Sequence, residues 1–151
     1  MLPPAFLFLC CRIYIFIIKY IIGCDDMDIE IIGGKFAVCK VSDFSIVDLS
    51  EPFVFVSKTD RENSLVCPIE KIPANAVCVE KTWRAFRIAD ALDFSLIGIL
   101  SAVSSVLAEN KIGIFAVSTY DTDYIFTKEE NFDSALKALK NAGCNIIKNK
   151  F

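Results

Sequence analysis

Thr82-Trp83-Arg84-Ala85-Phe86-Arg87-Ile88, followed by Ser95-Leu96-Ile97-Gly98-Ile99-Leu100-Ser101-Ala102-Val103-Ser104-Ser105-Val106-Leu107, decides the fold. The first run alternates as a half-buried strand does. In the second, Leu96, Ile99, Leu100, Val103, Val106 and Leu107 keep the i, i+3, i+4, i+7 spacing of a helix with one buried face, and Ser95 is its predicted N-cap. Working outward, Ile112 to Ser118 and Tyr124 to Thr127 read as strands joined by Thr119-Tyr120-Asp121-Thr122-Asp123. Phe132, Ala135, Leu136 and Leu139 mark a second amphipathic helix, with Lys137 and Lys140 late in it and Gly143 at its C-terminal cap. Cys144 to Ile147 is the last strand.

The order is βαββαβ, the ferredoxin-like split unit of the α+β class. It predicts a four-stranded antiparallel sheet with both helices on one face. The other face also carries apolar side chains, so the first half of the chain, a second subunit or both must cover it. Upstream the pattern is less regular. Asp28 to Ile32 and Phe36 to Val41 read as two strands around a Gly33-Gly34 hairpin, since glycine accepts positive φ. Phe53 to Val56 is a strand after Pro52. Thr59 or Asp60 is read as the cap of a short helix reaching Val66 and stopped by Pro68. Ala76 to Val79 is a further strand. The stretch from Val41 to Pro52 lacks helical periodicity. The predicted organisation is an abbreviated unit over 27–75 and a complete one over 76–151.

Residues 1–26 stand apart. From Ala5 to Ile22 every position is apolar except Arg12 and Lys19. A transmembrane helix needs about 20 mostly apolar residues, yet a central Arg12 costs roughly 2.5–3.5 kcal/mol on insertion. A signal peptide wants a basic start, and Met1-Leu2-Pro3-Pro4 has no charged side chain. Ile21-Ile22-Gly23-Cys24 resembles a lipoprotein cleavage box only over a short stretch. The third reading is translation from Met27, after which Asp28-Ile29-Glu30-Ile31-Ile32 opens directly as a strand. That reading is preferred over a membrane anchor and leaves 27–151 as the functional unit.

Composition removes many activities. Among 151 residues there is no histidine, the net charge is −3, and the seven cysteines form no C-x-x-C pair. Ser-His and Cys-His nucleophile pairs are excluded, and neither a zinc ribbon nor a phosphate-backbone partner is indicated. Cys39, Cys78 and Cys144 lie in apolar runs and are expected to pack as small hydrophobes. The basic-aromatic strand signature of sheet-type RNA binders is absent. No cofactor or nucleic-acid partner is called for, and the chain is read as a reduced, cytoplasmic protein.

Leu92-Asp93-Phe94-Ser95-Leu96-Ile97-Gly98-Ile99-Leu100, followed by Ser118-Thr119-Tyr120-Asp121-Thr122-Asp123-Tyr124-Ile125, resembles the tandem ACT-domain family related to the arginine sensors of the mTOR pathway. Asn63-Ser64-Leu65-Val66-Cys67-Pro68 is similar to the segment E-L-S-I-V-C-P that ends that family's first unit, and Trp83 falls where the family has a tryptophan. The likeness runs from about Met27 to Ile147. This chain departs from it at Asn63, where a glutamate or leucine-rich turn is usual, and at Ala89-Asp90-Ala91, which replaces a loop with glycine and proline. The resemblance implies a non-catalytic regulatory module that binds a free amino acid between ACT units, in a dimer or tandem arrangement; the leading reading is a homodimer that signals through a further protein.

The residues themselves suit a zwitterion. Asp93, Phe94, Ser95, Leu96, Ile97 and Gly98 span a strand-to-helix turn, where unpaired N–H groups and the positive helix end attract a carboxylate. Asp93, Asp121 or Asp123 can accept from an α-amino group, and Ser118 and Thr119 can hydrogen-bond either group beside Tyr120. Each feature also has a plainer reading: Asp93 and Ser95 as helix caps, Gly98 as a packing position, Asp121-Thr122-Asp123 as a solvated turn. Trp83 reads as core or interface, and no metal site is predicted. The competing functions are a ligand-free oligomerisation module, an enzyme using Asp93, Asp121 or a cysteine, and a membrane-attached sensor using residues 1–26.

Overall fold

The computed structural model describes residues 27–89 and 98–148. The expected leader at 1–26 and the expected helix start at Asp93 to Ile97 lie outside these residues. The elements are β1 (Asp28–Val41), β2 (Phe55–Lys58), β3 (Asn63–Pro68), a 3-10 turn (Ile69–Lys71), β4 (Ala76–Ile88), α1 (Ile99–Glu109), β5 (Ile114–Ser118), β6 (Asp123–Lys128), α2 (Glu129–Asn141) and β7 (Asn145–Lys148). One sheet holds all seven strands in the order β2-β3-β1-β4-β6-β5, with β7 paired to β1. It is an α+β, ferredoxin-like arrangement of mostly antiparallel strands with two helices.

The sheet has a pseudo-twofold axis between β1 and β4. Ile29 pairs with Ile88 at one end and Val41 with Ala76 at the other. The C-terminal half of β1 pairs with β3, as the C-terminal half of β4 pairs with β6. The β7 strand runs parallel to the first residues of β1, from Asp28↔Asn145 to Ile31↔Lys148. The first and last strands of the βαββαβ run are therefore not neighbours: β1 is inserted between them.

Three expectations from the sequence change here. Gly33-Gly34 is not a hairpin turn; β1 continues through it as one 14-residue strand. The register shifts between Ile32 and Phe36, with Gly34 at φ +82°, so the glycines form an irregularity within a strand. Asn63 to Pro68 is not helical. Thr59 accepts from the amides of Arg61 (3.2 Å) and Glu62 (3.1 Å), as an N-cap would, but the chain turns back as the β2–β3 hairpin. Ala76–Val79 and Thr82–Ile88 are one strand, interrupted near Thr82, whose φ is +68°.

Both helices lie on one face. Val103 and Leu107 of α1 and Phe132, Ala135 and Leu139 of α2 bury Ile29, Phe86, Ile88 and Ile125 of the sheet. On the same face, in the first half, Ala37, Cys39, Val41, Leu65 and Cys67 are covered by Phe44, Val47, Ile69 and Ile72 instead of helices. The opposite face gathers Phe36, Phe53, Phe55, Trp83, Phe115, Tyr124 and Phe126. The Phe55 and Tyr124 rings are 5.0 Å apart although β2 and β6 are four strand steps apart, about 19 Å in a flat sheet. The sheet therefore curls, and the first half closes over the face that needed a cover. Phe126 sits at the centre, stacked on Phe115 at 4.5 Å and edge-on to Phe36 at 5.5 Å.

Cys39 and Cys67 lie buried on neighbouring strands, and Cys144 is buried under the helices; Cys78 is exposed on β4, contrary to expectation. Burial first, and then the adjacent Cys39, push the Cys67 thiol up to about 12. No helix among the described residues is long and apolar enough to cross a membrane.

Two outcomes follow for stability. Phe126→Ala leaves a cavity between both halves and is expected to cost about 3–5 kcal/mol in urea unfolding. A thiol raised in the folded state contributes stability that is fully present below its unfolded value and is lost as pH rises through its folded value. The melting temperature should therefore fall between about pH 9 and 12, and more shallowly in Cys67→Ala than in the wild type, as followed by circular dichroism.

Candidate functional site

The end of the sheet where β4 stops holds the β5–β6 hairpin, one of the segments singled out by the sequence. β4 ends at Ile88, and Ala89 N donates to Asp28 O at 2.8 Å, tying the exit of β4 to the start of β1. Gly98 caps the N-terminus of α1 with φ +89°, a left-handed conformation suited to glycine, and its carbonyl accepts from Ala102 N at 2.8 Å. Among the described residues the helix runs from Ile99. Asp93, Phe94, Ser95, Leu96 and Ile97 lie outside the described residues, so the geometry bears on the remaining members of the predicted set.

Ser118 is the last residue of β5 and Asp123 the first of β6, paired in register across the hairpin. Thr119 N and Thr119 Oγ1 both donate to Thr122 O, at 2.9 and 2.8 Å. The Thr119 hydroxyl proton is thus directed within the turn. Ser118, Tyr120 and Asp121 are exposed, Tyr120 by 81%, and Asp123 is half-buried. The turn is not merely solvated: Thr122, which the sequence reading passed over, is buried and its Oγ1 donates to Ile88 O at 2.8 Å. That bond brings the β5–β6 hairpin against the end of β4.

A second feature escaped sequence reasoning. On the aromatic face, one step in from this end, Glu30, Arg87 and Tyr124 stand side by side on β1, β4 and β6. Arg87 Nε donates to Glu30 Oε2 at 2.7 Å and Arg87 Nη1 to the Tyr124 hydroxyl at 3.2 Å. The Glu30 bond, then the Tyr124 bond, hold the Arg87 guanidinium above its ordinary pKa. The signal was legible only with the register known: Arg87 alternates with Ala85 and Trp83, and Tyr124 with Phe126. Trp83 itself stacks edge-on to Phe115 at 4.8 Å, with Lys128 Nζ over its ring at 4.3 Å, a core and surface role rather than a ligand platform. Among the described residues no group of three or more cysteines, aspartates or glutamates is arranged to hold a metal.

The described part of the site is therefore polar, at the end of a curled sheet and in the second half of the chain. This is an ACT-like fold. Residues 79–141 match the ACT domain family. Among solved structures, a protein from Agobacterium tumefaciens is similar with a TM-score of 0.74 at 29% identity, over 83% of this chain and 96% of that one. Aspartate kinase from Clostridium acetobutylicum, described as an allosteric enzyme, gives 0.57 at 17% identity, over 75% of this chain and 34% of that one. The ligand-free regulatory subunit of aspartate kinase from Thermus thermophilus gives 0.50 at 11% identity, over 76% and 95%. The two kinases show the fold alone. No curated protein matches the sequence. What the comparisons show is an ACT-like fold, with residues 79–141 matching the ACT domain model; the narrower likeness to arginine sensors rests on the motifs of the sequence.

A left-handed cap at Gly98 makes the position sensitive to any β-carbon. Gly98→Ala is expected to lower stability by about 1–2 kcal/mol in urea unfolding, without changing the helical content of the folded state by circular dichroism.

Proposed function

We propose that this chain is a small regulatory ACT-domain protein that binds a free amino acid at the β4 end of the sheet. The observation that supports the reading is the tie of the Ser118–Asp123 hairpin to the end of β4 through Thr122 on Ile88, with Gly98 capping the helix that comes after β4 in the chain. The helix start offers unpaired amides to the ligand carboxylate. Asp121 and Asp123 offer acceptors to its ammonium group, Asp93 adds a further one, and Ser118 hydrogen-bonds either. Phe94, Leu96, Ile97 and Tyr120 are assigned to the ligand side chain. The reading assigns no catalysis, cofactor or metal to the chain.

In this reading residues 27–75 form an abbreviated first unit and 76–151 the ligand-binding one. On the same reading the protein is a cytoplasmic homodimer whose ligand state is read by another protein, and the resemblance to the arginine sensors makes basic amino acids the first to try. The alternative is a ligand-free interaction module. It is favoured by the exposed apolar side chains of Ile46, Leu49, Val56 and Val77, all away from this end of the sheet.

Thermal unfolding against the twenty amino acids, each at a few millimolar, separates the two. A ligand at about 100 times its Kd adds about 2.7 kcal/mol to the native state. The expected result is a shift for one amino acid or a chemically related few, reduced in Gly98→Ala beyond that variant's own loss of stability. No shift with any of the twenty favours the interaction module.

A further inference from the structure

Four strands keep an edge that no other strand occupies among the described residues: β2, β7, β5 and the first half of β4. An open row of N–H and C=O groups invites another chain, and charges or irregular backbone normally blunt it. Three of the four are blunted. β2 ends in Lys58 and runs into Asp60, Arg61 and Glu62. β7 is four residues long and ends in Lys148. The free stretch of β4 carries Glu80 and Lys81 and has register shifts at both ends, with Thr82 at φ +68°. β5 has none of these devices. Ile114 to Ser118 pairs with β6 in unbroken register, and no charged side chain falls between Ile112 and Tyr120.

The helix beside that edge is bare of charge as well. α2 packs on β4, β6 and β7, while α1 lies toward β5 and packs with Ile112 and Ile114. Both helices lie on the same face of the sheet, yet their outward surfaces differ. α2 exposes Glu130, Asp133, Lys137 and Lys140, whereas α1 exposes Ser101, Ser105 and Ala108 before it reaches Glu109. Of the 22 residues from Ile99 to Tyr120 only Glu109 and Lys111 are charged, both at the α1–β5 junction, where the chain's 23% share gives about five. A helix surface that faces water normally carries charge. The core of a protein interface is depleted of it.

We propose that the β5 edge and the outward side of α1 form the surface on which a second copy of this chain docks. Antiparallel pairing of two β5 strands about a twofold axis through Ala116 keeps all five residues paired. Phe115 and Val117 belong to the aromatic face, so each Phe115 meets Val117 of the partner subunit there. Ala116, small and exposed, alternates to the helix face and meets its own copy below the two α1 helices. The same register carried beyond the strands brings Lys111, three residues before β5, toward Asp121 of the partner subunit, three residues after it. The twofold repeats that charge match on both sides of the axis, which selects an antiparallel second copy over an unrelated strand. The inference rests on the homodimer of the proposed function, not on its ligand, and names the surface that the homodimer uses.

The test follows self-association of the full chain by analytical ultracentrifugation, with the wild type expected to dimerise. Ala116→Lys sets two like charges against each other across the axis. It should raise the dimer Kd at least about tenfold and leave the far-ultraviolet circular dichroism unchanged. Lys111→Glu should weaken the dimer about threefold, and adding Asp121→Lys should restore it. Ala116→Cys, treated with oxidised glutathione, should give a disulfide joining the two substituted positions, read by peptide mass spectrometry, since directly opposed residues lie about 4.5–5.5 Å apart at Cβ. A dimer that Ala116→Lys leaves intact overturns the inference and leaves the homodimer standing; Leu49→Lys and Val77→Lys then show which apolar surface holds it. A dimer of Ala116→Cys that forms no link at the axis overturns the inference in the same way. A monomeric wild type overturns the homodimer and the inference with it, while amino-acid binding keeps its own test.

Discussion

A single strand, β1, takes three partners, and the rest of the structure depends on that. Its 14 residues exceed the usual span of about 3–10. One edge meets β4 along the whole length, while the other meets β7 over the first residues and β3 over the last. The two halves of the chain are thereby joined in one sheet. A strand this long must bend to stay on a curled sheet, and the Gly33-Gly34 irregularity supplies the bend where no other strand occupies its second edge. The break near Thr82 in β4 stands almost opposite, between the Val38↔Glu80 and Phe36↔Trp83 pairs.

Curling determines how the two faces are used. On the helix face the second half buries its apolar residues under α1 and α2, and the first half under short irregular segments. On the other face no helix is required, because rings from β2 reach rings from β6 and cover them. Seven aromatic residues packed in this way bury a large area with few rotatable bonds. The face is closed at its rim by the Glu30–Arg87 ion pair, whose charges stay partly hydrated. The apolar covering that the sequence demanded thus comes from within one chain.

The second half was legible from its residues because its signals are local. A helical stripe from Ile99 to Leu107, a second from Phe132 to Leu139, and alternating strands before and after them need no distant partner to be read. The first half was misread where one local signal serves two structures. Paired glycines permit a hairpin or a bend within a strand, and only the pairing of both flanks with β4 selects the second. The Thr59 hydroxyl receives two following amides, which is how a helix cap works and equally how a tight hairpin turn works. Of the candidate site, Gly98 and the hairpin were found as residue types. Thr122 was not, because its importance lies in a bond to a carbonyl 34 positions earlier in the chain.

That bond also bears on how an occupied site would be felt elsewhere. The exit of β4 touches β1 through Ala89 and Asp28, and Asn145 at the start of β7 donates from its backbone to Met27 and from its side chain to Asp28. The start of β1 is thus held by the same strand end that carries the hairpin tether. From there β1 runs without interruption into the first half, where its last residues pack against Phe44 and Val47. The β4 end is connected to the segment carrying exposed Ile46 and Leu49 through β1, with the Gly33-Gly34 irregularity between them. Exposed Ile46 and Leu49 and the tethered β5–β6 hairpin thus stand toward opposite ends of one strand.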